Sequence, residues 1–286
     1  MTAAQAQRFM TSDVDILLPT FAPNPTLIRR AIQSVIEQTR PSWSLYVVQD
    51  GGETPLTQIV EHPGDPRVHF LSIPRQGKAA ALNHAVQHGS AKYVAYLDDD
   101  DIWYPSHLEK ALSAMRDGQI RFVHTDAYEV FLRRTGDGYR EISRNVLNRG
   151  PLSDLLLWYV SHINTVHERS LIEEAGPYDE KRQVFIDWDM LLRMARLSKP
   201  HHLPVVTCEH YIYLDRDDRK DNKISSIHSV DPEYSRHMHG EMFTRAFNLL
   251  SWRDLVSGLP DRRFTRLFMK HWLWRQVYPA THERRI

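Results

Sequence analysis

A single cysteine, Cys208, stands in 286 residues. One thiol cannot form an intrachain disulfide, so a reducing, intracellular compartment is the expectation. Long apolar runs are lacking as well: none approaches the roughly 18–20 residues that a membrane span needs. Residues 1–12 have neither the basic opening nor the apolar centre of a signal peptide, which points to the cytoplasm. There is no net charge, because 36 basic and 36 acidic residues cancel. No global field therefore recruits nucleic acid or an acidic membrane. The 16 histidines form no His-Glu-x-x-His and no Cys/His ligand pattern, which argues against zinc. No internal repeat and no low-complexity segment occurs. The length allows one large α/β domain, or a core domain with a helical extension.

The most telling stretch is four consecutive aspartates, Asp98, Asp99, Asp100 and Asp101. They follow the compact apolar run Tyr93-Val94-Ala95-Tyr96-Leu97, which reads as a buried strand, and precede a helix start near Pro105. Four carboxylates at one strand end repel one another unless a positive charge sits among them. Mn²⁺ or Mg²⁺ would relieve that repulsion, since both take oxygen ligands from one or two carboxylates and from substrate phosphates. A solvated acidic turn is the alternative, but capping a helix needs only one acid.

Strands and helices alternate before this point. Residues 14–18 read as a strand ending at Pro19, and Leu27, Ile28, Ala31, Ile32, Val35 and Ile36 recur at helical spacing. Residues 45–48 form a second strand ending in Gln49-Asp50-Gly51-Gly52, and residues 68–73 a third. Gly77 opens a helix that stops near Gly89. This order predicts a mostly parallel sheet with helices on both faces. Ligands bind such sheets beyond the carboxyl ends of the strands, where Pro19-Thr20-Phe21, Asp50-Gly51 and residues 98–101 converge.

The second half is less regular. A strand is expected over residues 122–131, a polar excursion over 133–149, and a short helix over 152–158. A helix over 187–197 and a strand over 202–213 follow, then a charged loop over 215–222 and helix from Pro232 onward. In the tail, Phe264, Leu267, Phe268, Trp272 and Leu273 share one helical face among Arg262, Arg263, Arg266, Lys270 and Arg275. Such a helix can pack on its own domain, lie peripherally at the inner face of a membrane, or meet a protein partner.

The segments Pro19-Thr20-Phe21, residues 31–39, Val47-Val48-Gln49-Asp50-Gly51-Gly52, residues 77–83 and residues 96–103 stand in an order and spacing that resembles family 2 glycosyltransferases of the GT-A fold. Ala175-Gly176-Pro177-Tyr178-Asp179-Glu180 resembles the family's Gly-x-Phe-Asp-Glu segment. Residues 186–193 resemble its Glu-Asp-x-Asp-x-x-x-Arg helix start. The resemblance covers residues 12–215, a GT-A domain with a nucleotide-binding half (12–104) and an acceptor-binding half (105–215). Residues 230–286 are then a helical C-terminal extension. It implies that Pro19, Thr20, Phe21 and Asp50 hold base and ribose, that Asp98 and Asp100 bind the metal with Asp100 foremost, and that Asp99 reaches the ribose or the metal's water shell. Asp187 would be the catalytic base. Gln49 and Ile186 depart from the family's usual acids, and the second departure bears on how Asp187 is positioned.

The implied reaction is inverting transfer of a sugar from a nucleotide diphosphate, UDP favoured, to a hydroxyl of a glycan or lipid-linked acceptor. Negative charge then builds on the leaving diphosphate, and a carboxylate must take the acceptor proton. Asp189 is the rival base, and a helix-terminal acid is the plain alternative for Asp187. Lys78, at a helix start, could contact the diphosphate or merely be solvated. Trp103 is expected to pack or stack beside the site. His162, Asn164 and His167 fall in the acceptor segment, while His210 and His228 are candidates for a third metal ligand. A nucleotidyltransferase would want a glycine- and basic-rich phosphate loop after the first strand, where Pro19-Thr20-Phe21-Ala22-Pro23 stands instead. A degenerate domain that binds without turnover is the non-enzyme alternative.

Overall fold

The computed structural model describes residues 12–21, 23–59, 64–136, 138–147, 162–215 and 232–249. The first half is a run of parallel strands. Strand β1 (Val14–Thr20) is entirely buried, and the chain leaves it into helix α1 (Pro25–Ile36). The Asn24 side chain starts that helix by accepting from the Thr26 and Leu27 amides, with Pro25 in the first turn. Strand β2 (Trp43–Asp50), a single helical turn α2 (Leu56–Ile59) and strand β3 (Val68–Ile73) follow. Helix α3 (Lys78–His88) leads to β4 (Tyr93–Tyr96). Beyond the aspartates come β5 (Ile102–Trp103) and α4 (His107–Ala114).

The second half adds β6 (Phe122–Thr135), β7 (Gly138–Leu147), a 3₁₀ turn (His162–Asn164), β8 (Thr165–Glu168) and α5 (Arg169–Ala175). Helix α6 (Ile186–Leu197), β9 (His201–Tyr213) and α7 (Pro232–Phe247) complete the described elements. All nine strands join one sheet in the order β3-β2-β1-β4-β8-β6-β9-β5, with β7 paired to β6. The block β3-β2-β1-β4 is parallel, β8 runs against both its neighbours, and β6 and β9 are parallel to each other.

Each face of the sheet has its own core. On one, Ile28, Ile32 and Val35 of α1 and Leu108 and Leu112 of α4 meet Val14, Ile16, Leu18 and Val123. On the other, Ala81 and Leu82 of α3, Leu171 of α5 and Met190 and Met194 of α6 meet Leu17, Val48 and Phe122. A third cluster joins Trp188 and Leu192 of α6 to Met238, Met242 and Phe243 of α7. The expected α/β architecture is therefore present, and strands β1 to β4 fall within two residues of their predicted bounds.

Residues 133–149 correct the expectation of a polar excursion. Strand β6 runs on to Thr135, turns at Gly136, and β7 returns antiparallel to it with a bulge at Phe131/Leu132. The returning strand is largely exposed, so it carries none of the alternation that a half-buried strand shows. The expected helix at 152–158, residues 216–222 of the charged loop, His228 and the basic tail helix lie outside the described residues.

Candidate active site

Strands β1, β2 and β4 are parallel neighbours, so their carboxyl ends bring Thr20, Asp50 and residues 98–101 to one rim. The four aspartates do not share one fate. Asp99 is buried and accepts a 2.5 Å hydrogen bond from the Thr20 hydroxyl. Burial, with Asp98 and Asp101 nearby, outweighs that bond and lifts its carboxyl to about 7. Asp101 is fully buried and accepts from the Tyr211 amide at 2.8 Å and from His210 Nδ1 at 2.9 Å. Burial disfavours charge on His210, but Asp101, with Asp100 and Asp98 behind it, holds the imidazole up at about 9. His210 is thus the positive partner of the fourth aspartate, which fastens the acidic turn to β9.

Asp98 and Asp100 are the half-buried pair. The Asp100 carbonyl accepts from Arg30 at 2.7 Å, while burial and its three acidic neighbours push its carboxyl well up. Crowded carboxylates of this kind are a hard, oxygen-only donor set, and they fit Mn²⁺ or Mg²⁺. Among the described residues no group of three or more His, Cys, Asp or Glu side chains forms a ready-made cage. A site completed by substrate oxygens needs no third side chain.

Asp50 sits at the end of β2, with 2% of its surface exposed. Its carboxylate takes the Gln76 amide at 2.6 Å, the Gly77 amide at 2.9 Å and the Arg75 guanidinium at 2.7 Å. The acid therefore ties down the loop that opens α3. The same guanidinium lies over the Phe21 ring, 3.4 Å from its centre. Gly51 permits this closeness: its φ is +80°, and a Cβ there would stand 2.9 Å from Arg75 Cβ. Arg75 thus links Phe21 to Asp50, beside Pro19 and Thr20 at the end of β1.

Lys78, the first residue of α3, is not a solvated surface lysine, since only 7% of its side chain is exposed. Its ammonium bridges Asp98 at 2.9 Å and Asp187 at 3.1 Å. One cation thereby joins the aspartate turn to the start of α6. Asp187 is buried, and His162 lies against it: Nε2 donates to the Asp187 carbonyl at 3.1 Å, and Nδ1 is 3.6 Å from Oδ1. His162 also lies over the Tyr96 ring at 4.2 Å, and burial keeps its pKa below the ordinary range despite the acid beside it. The sequence marked His162 only as an acceptor-segment residue, and nothing in its spacing pointed to Asp187.

Asp189, the rival base, is committed elsewhere. It meets Arg193 at 2.9 Å, Arg245 at 2.7 Å and Arg182 at 3.5 Å. Asn164 is buried and donates to the Thr125 carbonyl at 2.6 Å. His167 is buried within β8, bonded to the Tyr96 hydroxyl at 2.7 Å. Trp103 packs: its ring stacks on His107 at 4.3 Å, and its indole N–H donates to the Ile163 carbonyl.

The sequence model of glycosyl transferase family 2 matches residues 15–175. The chain is a family 2 glycosyltransferase. The transferase is 26% identical over 245 residues to the uncharacterized glycosyltransferase YwdF of Bacillus subtilis, covering 83% of this chain and 88% of that one. It is 33% identical over 118 residues to an Escherichia coli enzyme, the UDP-Glc:alpha-D-GlcNAc-diphosphoundecaprenol beta-1,3-glucosyltransferase WfgD. That match spans 41% of this chain and 46% of the relative.

Among solved structures, S. aureus TarS 1-349 in complex with UDP-GlcNAc aligns with a TM-score of 0.63 at 14% identity. The alignment covers 92% of this chain and 77% of TarS. A mannosyltransferase from Pyrobaculum calidifontis, in complex with GDP-Man and Mn²⁺, gives 0.56 at 17% identity, covering 95% and 82%. The fold is that of the GT-A glycosyltransferases. Among the described residues no helix is long and apolar enough to cross a membrane.

Proposed function

We propose that the transferase moves a sugar from a UDP-sugar to a hydroxyl of a glycan or lipid-linked acceptor, with inversion, in surface polysaccharide or related glycan synthesis. The observation that carries this reading is the Lys78 ammonium between Asp98 and Asp187. One cation joins Asp98, which this reading gives to the nucleotide side, to the buried Asp187, which it gives to the acceptor side.

In this reading Asp187 takes the proton of the acceptor hydroxyl as the oxygen attacks the anomeric carbon. The new bond forms on the face opposite the breaking one, and the electron pair leaves with the nucleotide diphosphate. Lys78 contacts that diphosphate, and Asp98 and Asp100 would hold Mn²⁺ or Mg²⁺. Bound there, the ion supplies positive charge to the leaving oxygens. Thr20, through Asp99, and Pro19, Phe21 and Asp50 shape the base and ribose wall. Asn164 belongs to the acceptor side as a framing residue, since its amide holds the Thr125 carbonyl. The relative whose name gives a diphosphoundecaprenol substrate supports a lipid-linked acceptor.

Asp187→Asn keeps the size of the side chain and removes its basicity. It should lower turnover by about 10²–10⁴ with donor affinity retained. NMR of the product should show the anomeric configuration opposite to the donor's. Retained configuration, or wild-type turnover in the variant, would sink the reading.

A further inference from the structure

Among the described residues Phe185 alone, outside glycine, has a positive φ, at 55° with ψ 30°. A left-handed backbone disfavours a bulky side chain and persists only where the surroundings impose it. Phe185 stands at the N-terminal cap of α6, and its carbonyl takes the Asp189 amide at 2.9 Å. Its conformation therefore fixes where the helix begins, and with it the direction of Asp187 two residues on.

The surroundings that impose it come largely from α7. Phe185 meets Trp188 at 5.7 Å between ring centres and His239 at 5.6 Å. Trp188 meets His239 at 5.9 Å and Phe243 edge-on at 5.5 Å, and those two rings are 4.7 Å apart. Two residues past Phe243, Arg245 of α7 grips Asp189 at 2.7 Å and is itself held by Glu241 at 2.6 Å. Arg182 spans the same two acids at 3.5 and 3.6 Å. An aromatic clamp and an ionic clamp thus act on one helix start from one distant segment.

We propose that α7 is a positioning element for the catalytic carboxylate, with His239 and Phe243 holding Phe185 in its left-handed turn and Arg245 anchoring Asp189. This rests on the reading of Asp187 as the base. It also answers the sequence's departure at Ile186: the family's usual acid is replaced, and the helix start is set from outside α6. His239, Phe243 and Arg245 are positioning residues.

In the full chain, Arg245→Gln and His239→Leu should speed hydrogen exchange of the amides of residues 186–190, with the melting temperature within a few degrees of wild type. That reading needs no donor. Turnover is followed as nucleotide release with the best of UDP-glucose, UDP-N-acetylglucosamine and GDP-mannose. kcat should fall about tenfold or more with the donor KM unchanged, since a small misplacement of a reacting group is costly. Arg245→Lys should restore most of it. Combined with Asp187→Asn, Arg245→Gln should add no further loss, because it acts through that carboxylate. Unchanged exchange, or a loss fully additive with that of Asp187→Asn, overturns the proposal. Wild-type turnover in Asp187→Asn alone overturns the base assignment instead, so the two failures are distinguishable.

Discussion

Two acids on the same helical turn, Asp187 and Asp189, meet opposite surroundings. Three arginines reach Asp189, whereas Asp187 faces Lys78 and His162 across the rim of the sheet. Spacing alone could not separate them, because both are buried and both lie in the first turn of α6. The pattern did carry one cue: Arg193 stands four residues after Asp189, where the two side chains meet on one helix face. Asp50 ties the loop of residues 75–77 to the end of β2, and on the proposed reading that loop borders the nucleotide. Asp50→Ala should free residues 75–77 and weaken UDP binding more than it slows the chemical step. Unchanged affinity by calorimetry removes Asp50 from the site. Asp100→Ala should abolish the rise in melting temperature that Mn²⁺ with UDP gives the wild type, and EDTA should abolish wild-type turnover. A variant that keeps both responses would exclude Asp100 as a metal ligand.

At the scale of elements, legibility tracked burial. Strands β1 to β4 and helices α1 and α3 could be read because each buries an apolar stripe or run between clear turn residues. Strand β8 has four residues squeezed between neighbours, and β5 only two, so neither spans enough alternation to register. The exposed arm of β7 hid for the opposite reason. Helix α5 is short, and its importance is ionic: Arg169 pairs with the buried Asp15 and donates to the Ala91 and Val86 carbonyls at 2.8 and 3.1 Å. Asp15 also accepts from the Ala91 amide at 2.7 Å, so this one arginine ties β1, the end of α3 and α5 together. Arg169→Met should cost about 3–5 kcal/mol, because it strands a buried carboxylate. Urea denaturation measures it, and a loss below 1 kcal/mol would mean that water replaces the guanidinium.

For the whole molecule, three histidines are held neutral by the fold. Burial drives the pKa of His107, His124 and His167 down to about 3. In the unfolded chain each protonates near 6.5. Below that value the unfolded state binds protons that the folded state refuses, so the contribution of these three is complete above about pH 6.5 and drains as the pH falls toward 3. Between pH 7 and pH 5 they pull the melting temperature down, while the raised carboxyls of Asp99 and Asp100, which take up protons first in the folded state, pull it up. His124, stacked on His202 at 4.8 Å, is the place to check, since His124→Phe keeps a ring and removes the proton uptake. The variant should lose less of its melting temperature over that interval than the wild type does. Equal losses would show that other groups set the acid limit.

The acids at the rim also arrive at different times. Asp98 closes the parallel block β3-β2-β1-β4, which is complete in sequence before any of the acceptor side is made. Asp187 follows many residues later, and synthesis at about 5–20 residues per second puts roughly ten seconds between them. The clamp on the acidic turn comes later still, because His210 and Tyr211, which hold Asp101, belong to β9. The two sides of the site are thus completed together, and an unfinished chain has no fixed acidic turn on which to spend a donor.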